Sequence, residues 1–164
     1  YGNKRVYGTR LMSGLGDELS TYMDAALVCA KEAITHGDVP VGVVIVKDHK
    51  IIATAHNEKE LTGDVTAHAE VLAIKRAVTF LGDWRLNECL MVSTLEPCPM
   101  CAGTILQARI GRLVYGACDH KWGAHQTKLN LVGSDLFNHK VVCDYHPDER
   151  CSALLTQFFR SLRD

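Results

Sequence analysis

The chain has 164 residues, 47% of them hydrophobic and 23% charged, with a net charge of −1 at pH 7. That length is enough for one domain with a proper core, and the ordinary composition excludes a disordered or low-complexity chain. The near-zero charge excludes bulk attraction to nucleic acid, so any such binding must use a local basic surface; no segment is long and apolar enough to span a membrane, and no secretory leader is evident.

In chain order, residues 1–16 carry Lys4, Arg5 and Arg10, four glycines and no acid. They read as a flexible N-terminal extension ahead of a single domain over 17–164. Asp17–His36 sets Leu19, Tyr22, Met23, Ala26, Leu27, Ala30 and Ile34 at helical spacing, and Gly37 ends that helix. The near-continuous Val and Ile of Val39–Val46 predict a strand buried on both faces. Asp48-His49-Lys50 turns it into Ile51–Ala55, giving a hairpin. His56–Thr66 reads as a polar loop leading to a helix over Ala67–Phe80, capped by Thr66 or Asp64. Leu90–Thr94 is a strand, Met100–Ala108 a helix, Leu113–Ala117 a fourth strand and Val141–Cys143 a short fifth. Pro147–Arg163 is a final helix with Leu154, Leu155, Phe158, Phe159 and Leu162 on one face. Mostly apolar strands alternating with helices predict an α/β fold, a three-layer α/β/α sandwich with a five-stranded mixed sheet.

Two motifs carry chemistry: His68-Ala69-Glu70 and Pro97-Cys98-Pro99-Met100-Cys101. One imidazole and two thiolates suit Zn²⁺, and three protein ligands leave the fourth tetrahedral position open for water. Cys98 and Cys101 are three apart, so they share one face at a helix N-terminus, where the dipole favours the thiolate. His68 converges on them only from the first turn of its own helix. Glu70 lies close enough to act on the water as acid and base without binding the metal. Taken alone, Cys-x-x-Cys could be a redox pair, or half of a closed structural zinc site completed by Cys89 or Cys118. The two motifs in this order, with their flanking prolines, favour an open catalytic site with one zinc per chain. Cys29, Cys89, Cys118, Cys143 and Cys151 follow no disulfide rhythm and read as reduced thiols, which points to the cytoplasm.

Further stretches narrow the resemblance: Val39-Pro40-Val41-Gly42, Thr66-Ala67-His68-Ala69-Glu70, Thr94-Leu95-Glu96 leading into the cysteines with Ala102-Gly103 after them, Arg109-Ile110-Gly111-Arg112, Asn138-His139, and Leu154-Leu155 with Phe158-Phe159-Arg160. From about Leu19 to Arg163 the chain resembles the bacterial tRNA-specific adenosine deaminases of the cytidine deaminase superfamily. The resemblance implies a homodimer whose two sites lie near the subunit interface. It implies hydrolytic deamination of the wobble adenosine in a tRNA anticodon stem-loop to inosine. His68, Cys98 and Cys101 match that family's zinc ligands, and Glu70 matches its proton shuttle. Asn57 takes the place of an asparagine contacting the target nucleotide, and Asp119 lies in the loop that meets this nucleotide and its 5′ neighbour. Cys118, His120, Trp122, His125, Gln126 and Thr127 depart from the family pattern.

Bases splayed from a loop stack on aromatic or guanidinium faces, which makes Trp122, Phe158, Phe159 and Arg160 candidates. Lys121, Lys128, Lys140, Arg160 and Arg163 are candidates for phosphate. The simpler roles are core packing for at least one Phe of the pair, and a favourable helix C-terminus for Arg160 and Arg163. A free-nucleobase or nucleotide deaminase of guanine or pyrimidine type would use the same zinc motifs in a more enclosed pocket. A non-catalytic partner subunit would not need Glu70, and a plain tRNA-binding module would not need an open zinc site.

Overall fold

The computed structural model describes residues 15–164 and contains α1 (Leu15–Ile34), β1 (Gly42–Lys47), β2 (Lys50–His56), α2 (Lys59–Thr62), α3 (Ala69–Leu81), β3 (Leu90–Ser93), α4 (Pro99–Gln107), β4 (Arg112–Tyr115), β5 (Val142–Tyr145) and α5 (Glu149–Ser161). The strands form one five-stranded sheet in the order β2-β1-β3-β4-β5. β1 is antiparallel to both β2 and β3, and β3, β4 and β5 run parallel. The sheet is therefore mixed, as the sequence predicts.

Alternation along each strand sends side chains to opposite faces. Val43, Ile45, Met91, Leu113 and Tyr115 pack with Ala69, Ala73, Ala77, Ala102 and Ile105 of α3 and α4. Val44, Val46, Leu90, Val92 and Val114 pack with Tyr22, Met23, Ala26 and Leu27 of α1 and Cys151 of α5. These two apolar layers make the three-layer sandwich, and they explain why β1 and β3 contain almost nothing but aliphatic side chains. In the hairpin, Asp48 and His49 both take left-handed backbone (φ 49° and 62°), the twist that joins two antiparallel strands through a two-residue turn.

Gly42 sets how closely α1 approaches the sheet. A Cβ there would sit 1.9 Å from the Ala26 carbonyl oxygen and 2.5 Å from the Ala30 nitrogen. Both neighbours are helix backbone, so neither can yield by rotating a side chain. Gly42→Ala is expected to destabilise the fold by about 3 kcal/mol, the upper part of the range for overpacking. Urea unfolding measures this, and a loss below about 1 kcal/mol would show that α1 lifts from the sheet freely.

Several boundaries differ from expectation. α1 begins at Leu15, so Leu15 and Gly16 of the expected 1–16 extension are helical, while 1–14 lies outside the described residues. Ala33 and not Ile34 completes the buried stripe of α1. β1 begins at Gly42 and not Val39: Pro40 has no N–H to give a ladder, and Val41 donates to Val39 in a tight turn. The loop after β2 contains α2, a single turn held by the buried Asp38 carboxylate, which accepts from the N–H groups of Glu60 (2.8 Å) and Leu61 (3.1 Å). α5 starts at Glu149, with Asp148 accepting from the Arg150 N–H. Its packed face is Cys151, Leu154, Leu155 and Phe158, while Leu162 faces solvent.

Candidate metal and active site

Parallel strands β3 and β4 end side by side at Ser93 and Tyr115, and ligand sites in such sheets gather outside the carboxyl ends of the strands. Thr94 extends β3 by exchanging two bonds with Gly42: its N–H donates to the Gly42 carbonyl (3.0 Å) and its hydroxyl accepts from the Gly42 N–H (3.1 Å). The chain then turns into α4. Cys98 is the N-cap of α4 with extended backbone, and Pro99 occupies the first helical position, where its fixed φ and missing donor cost nothing. Cys101 follows one turn later and is fully buried.

His68 is the N-cap of α3 (φ −81°, ψ 147°), one position outside the helix in which it was expected. Its ring caps nothing and turns toward Cys98 and Cys101. The cap comes instead from Asn57, whose Oδ1 accepts the Ala69 N–H at 2.9 Å. Neither Thr66 nor Asp64 caps α3. Asp64 closes its own turn, accepting from the Thr66 N–H (2.8 Å) and hydroxyl (2.7 Å).

His68 Nδ1 lies 3.6 Å from Cys98 Sγ and 3.5 Å from Cys101 Sγ. Zinc bonds of about 2.3 Å to sulfur and about 2.0 Å to nitrogen, at the tetrahedral angle, set a nitrogen–sulfur edge of about 3.5–3.6 Å. Both nitrogen–sulfur distances therefore match those of a zinc tetrahedron, and the three residues are the only His/Cys/Asp/Glu group among the described residues that could hold a metal ion. Neither Cys89 nor Cys118 supplies a fourth corner. Cys89 is buried in the α3/α4 layer, where burial pushes its thiol up to about 11. Cys118 packs against the same layer and accepts a hydrogen bond from Gln126 Nε2 (3.4 Å).

The hydrogen bond with Cys101 draws the Cys98 thiol down to about 4 despite burial, and His68 adds to the effect. That same bond, together with burial, pushes Cys101 upward. Glu70 sits in the first turn of α3, 4% exposed. Burial raises its carboxyl above the ordinary range, opposed by a hydrogen bond with Cys101.

The remaining candidates fall into two groups. Asn57 stands beside the ligands, bonding Ala69 through Oδ1 and the Val39 carbonyl through Nδ2 (3.0 Å), which leaves one donor and one acceptor position on its amide. Asp119 Oδ1 accepts the N–H groups of Lys121 (3.0 Å) and Trp122 (3.1 Å), shaping the turn that exposes both side chains. Lys121 Nζ lies 5.8 Å above the ring of Phe159, bringing that loop against α5. Phe158 is the core member of the pair, and Phe159 remains 39% exposed with Arg160 next to it at the helix end. Lys140 is paired with Asp135 at 2.9 Å.

One residue escaped the reading of the sequence as a functional position. Glu96, 1% exposed, accepts hydrogen bonds from Asp119, His125, Gln126 and Thr127. Burial pushes its carboxyl up, but the Thr127 hydroxyl and these N–H groups outweigh it and hold the group below the usual range. The signal was an acid between Leu95 and Pro97 at the end of an apolar strand.

Residues 17–163 match the model of the MafB19-like deaminase family. The tRNA-specific adenosine deaminase of Bacillus subtilis (strain 168) is 45% identical over 148 residues, covering 90% of this chain and 91% of that protein. That of Aquifex aeolicus (strain VF5) is 42% identical over 143 residues, covering 87% and 95%. A structure solved in a study of A-to-I editing by tRNA:A34 deaminases at the wobble position of transfer RNA superposes with a TM-score of 0.79 at 37% identity, over 83% of this chain and 99% of that one. A guanine deaminase from Bacillus subtilis superposes with a TM-score of 0.60 at 32% identity, over 87% and 93%.

Proposed function

The chain belongs to the MafB19-like deaminase family and, within it, to the tRNA-specific adenosine deaminases, and from that premise we propose that it hydrolyses the wobble adenosine of a tRNA anticodon to inosine. The observation that carries the reading is the buried Glu70 beside a group of three and only three candidate ligand side chains, His68, Cys98 and Cys101. A zinc ion held by His68, Cys98 and Cys101 would supply a water acidified toward neutral pH as the nucleophile. Glu70 takes the proton of that water and passes it to the ring nitrogen beside the amino-bearing carbon. The water oxygen bonds to that carbon, and the ring becomes tetrahedral there. Glu70 then moves the second proton to the amino group, which leaves as ammonia, and the carbonyl of inosine remains.

A target base must leave its stack to reach this position, which suits an anticodon loop. Asn57 reaches the base or ribose with its spare donor and acceptor. Asp119 accepts from a 2′-hydroxyl. Phe159 and Arg160 offer stacking faces, and Lys121 meets phosphate. Trp84 and Phe137 are exposed and line a cleft with Gly103, Leu106 and Gln107 on the outer side of α4, which supports a homodimer built over that face. All seven cysteines are free, which supports a reducing compartment, the cytoplasm. No helix among the described residues is long and apolar enough to cross a membrane.

The likeness to guanine deaminase favours a second reading, deamination of a free base. A direct comparison separates the two. Inosine is expected at the wobble position of a synthetic anticodon stem-loop, with guanine and free adenosine turned over at least a hundredfold more slowly. Turnover of guanine with an untouched stem-loop would replace the tRNA reading by the second.

A further inference from the structure

Glu96 is matched by backbone rather than by a cation among the described residues. Its Oε2 accepts the N–H groups of His125 (3.0 Å), Gln126 (3.0 Å) and Thr127 (3.1 Å), and its Oε1 accepts the N–H of Asp119 (3.1 Å) and the hydroxyl of Thr127. Residues 119–127 belong to no helix or strand that could satisfy these donors. They fold around one carboxylate instead, through charge-assisted bonds that are stronger than neutral ones. Two features show that the fit is close. A Cβ on Gly123 would lie 2.5 Å from the carboxylate, and the Ala124 N–H is taken by the Pro97 carbonyl at 2.9 Å. The turn carrying Lys121 and Trp122 is bonded to Asp119 Oδ1, so it hangs from Glu96 through Asp119. Glu96 is also two residues before Cys98, so one short segment fixes both the metal-ligand helix and this loop.

We propose that Glu96 is a specificity-setting positioning residue: it holds the 119–127 loop in the shape that presents Asp119, Lys121 and Trp122 to the nucleic acid, while the chemistry stays with Glu70. The substrate half of this inference rests on the tRNA reading above. The loop half does not.

Glu96→Gln keeps the size but leaves a single acceptor oxygen. The three donors on Oε2 keep it, and an amide N–H then faces the N–H of Asp119. The variant is expected to bind zinc at the wild-type ratio, to keep kcat within about threefold, and to raise KM for the anticodon stem-loop at least tenfold. Amides of 119–122 should exchange with deuterium at least tenfold faster, with α4 unchanged. Gly123→Ala, which displaces the carboxylate with its charge intact, should raise KM in the same direction. Unchanged KM and exchange in both variants, or a fall in kcat at constant KM, would overturn the proposal. Should Glu96→Gln fail to fold, Thr127→Val removes one of the five donors. A KM increase of about threefold then supports the proposal, and a wild-type KM overturns it. If the wild-type protein deaminates guanine and ignores the stem-loop, the substrate reading fails, and exchange at 119–122 still decides the role of Glu96 in the loop.

Discussion

Glu70→Ala is expected to leave the protein folded, with zinc at one ion per chain, and to lower turnover of the stem-loop by about 10²–10⁴-fold, the range for losing a positioned acid–base group. In the proposed reaction every proton transfer passes through this carboxylate, and the His68/Cys98/Cys101 group itself contains no acid. The unfolding midpoint should hold or rise, because a buried carboxyl opposed mainly by its own desolvation contributes little to stability. Single-turnover measurement of inosine formation checks the rate, and elemental analysis checks the metal. A variant within tenfold of wild type would remove Glu70 from the proton pathway. One that lost its zinc would make it a ligand.

Removing the metal should abolish turnover altogether. Dialysis against a strong chelator is expected to bring inosine formation to background, and Zn²⁺ should restore it while Mg²⁺, which prefers oxygen donors and octahedral geometry, should not. Cys101→Ser should behave as the stripped protein does even in excess zinc, because a hydroxyl is a poor substitute for a thiolate. A stripped protein that remained active, or a metal bound by four protein ligands, would end the catalytic zinc reading.

The features legible in the sequence are those carried by local repetition or by obligatory chemistry. The short aliphatic runs that became β1 and β3 read as strands buried on both faces. The stripe from Tyr22 to Ala30 marks a helix with one buried face, and the structure lays that face on the sheet. The histidine and cysteines declare themselves because few other residues can hold zinc in that order. Features made by side chains reaching across the chain were not legible. Asn57 caps a helix twelve residues away, Asp38 holds α2 from more than twenty residues before it, and Glu96 gathers donors from residues 119 to 127. Nothing periodic marks such bonds. Glu96 leaves one trace, an acid between Leu95 and Pro97, while Asn57 and Asp38 stand among other polar or small residues and leave none. The strand boundaries erred for a related reason: whether Val39 or Ala117 extends a ladder depends on which neighbour takes its carbonyl. Here Asn57 Nδ2 takes one and the Glu96 N–H takes the other.

The tie at Asn57 also bears on how this architecture can diversify. The Glu58 N–H donates to the Ala67 carbonyl at 2.9 Å, just inside the bond that the Ala69 N–H donates to Asn57. The stretch between them, with the exposed Leu61 and Val65, is thus an Ω-shaped loop closed at its neck before His68 is reached. Residues inserted or deleted in that loop are absorbed beyond the neck, and lengthening such a loop adds little to its closure entropy. An indel in most loops next to a metal ligand would rotate the ligand off its ion. Here the register of His68 is insulated from it, so the part of the loop beyond the turn held by Asp38, residues 63–66, is free to be rewritten without moving His68.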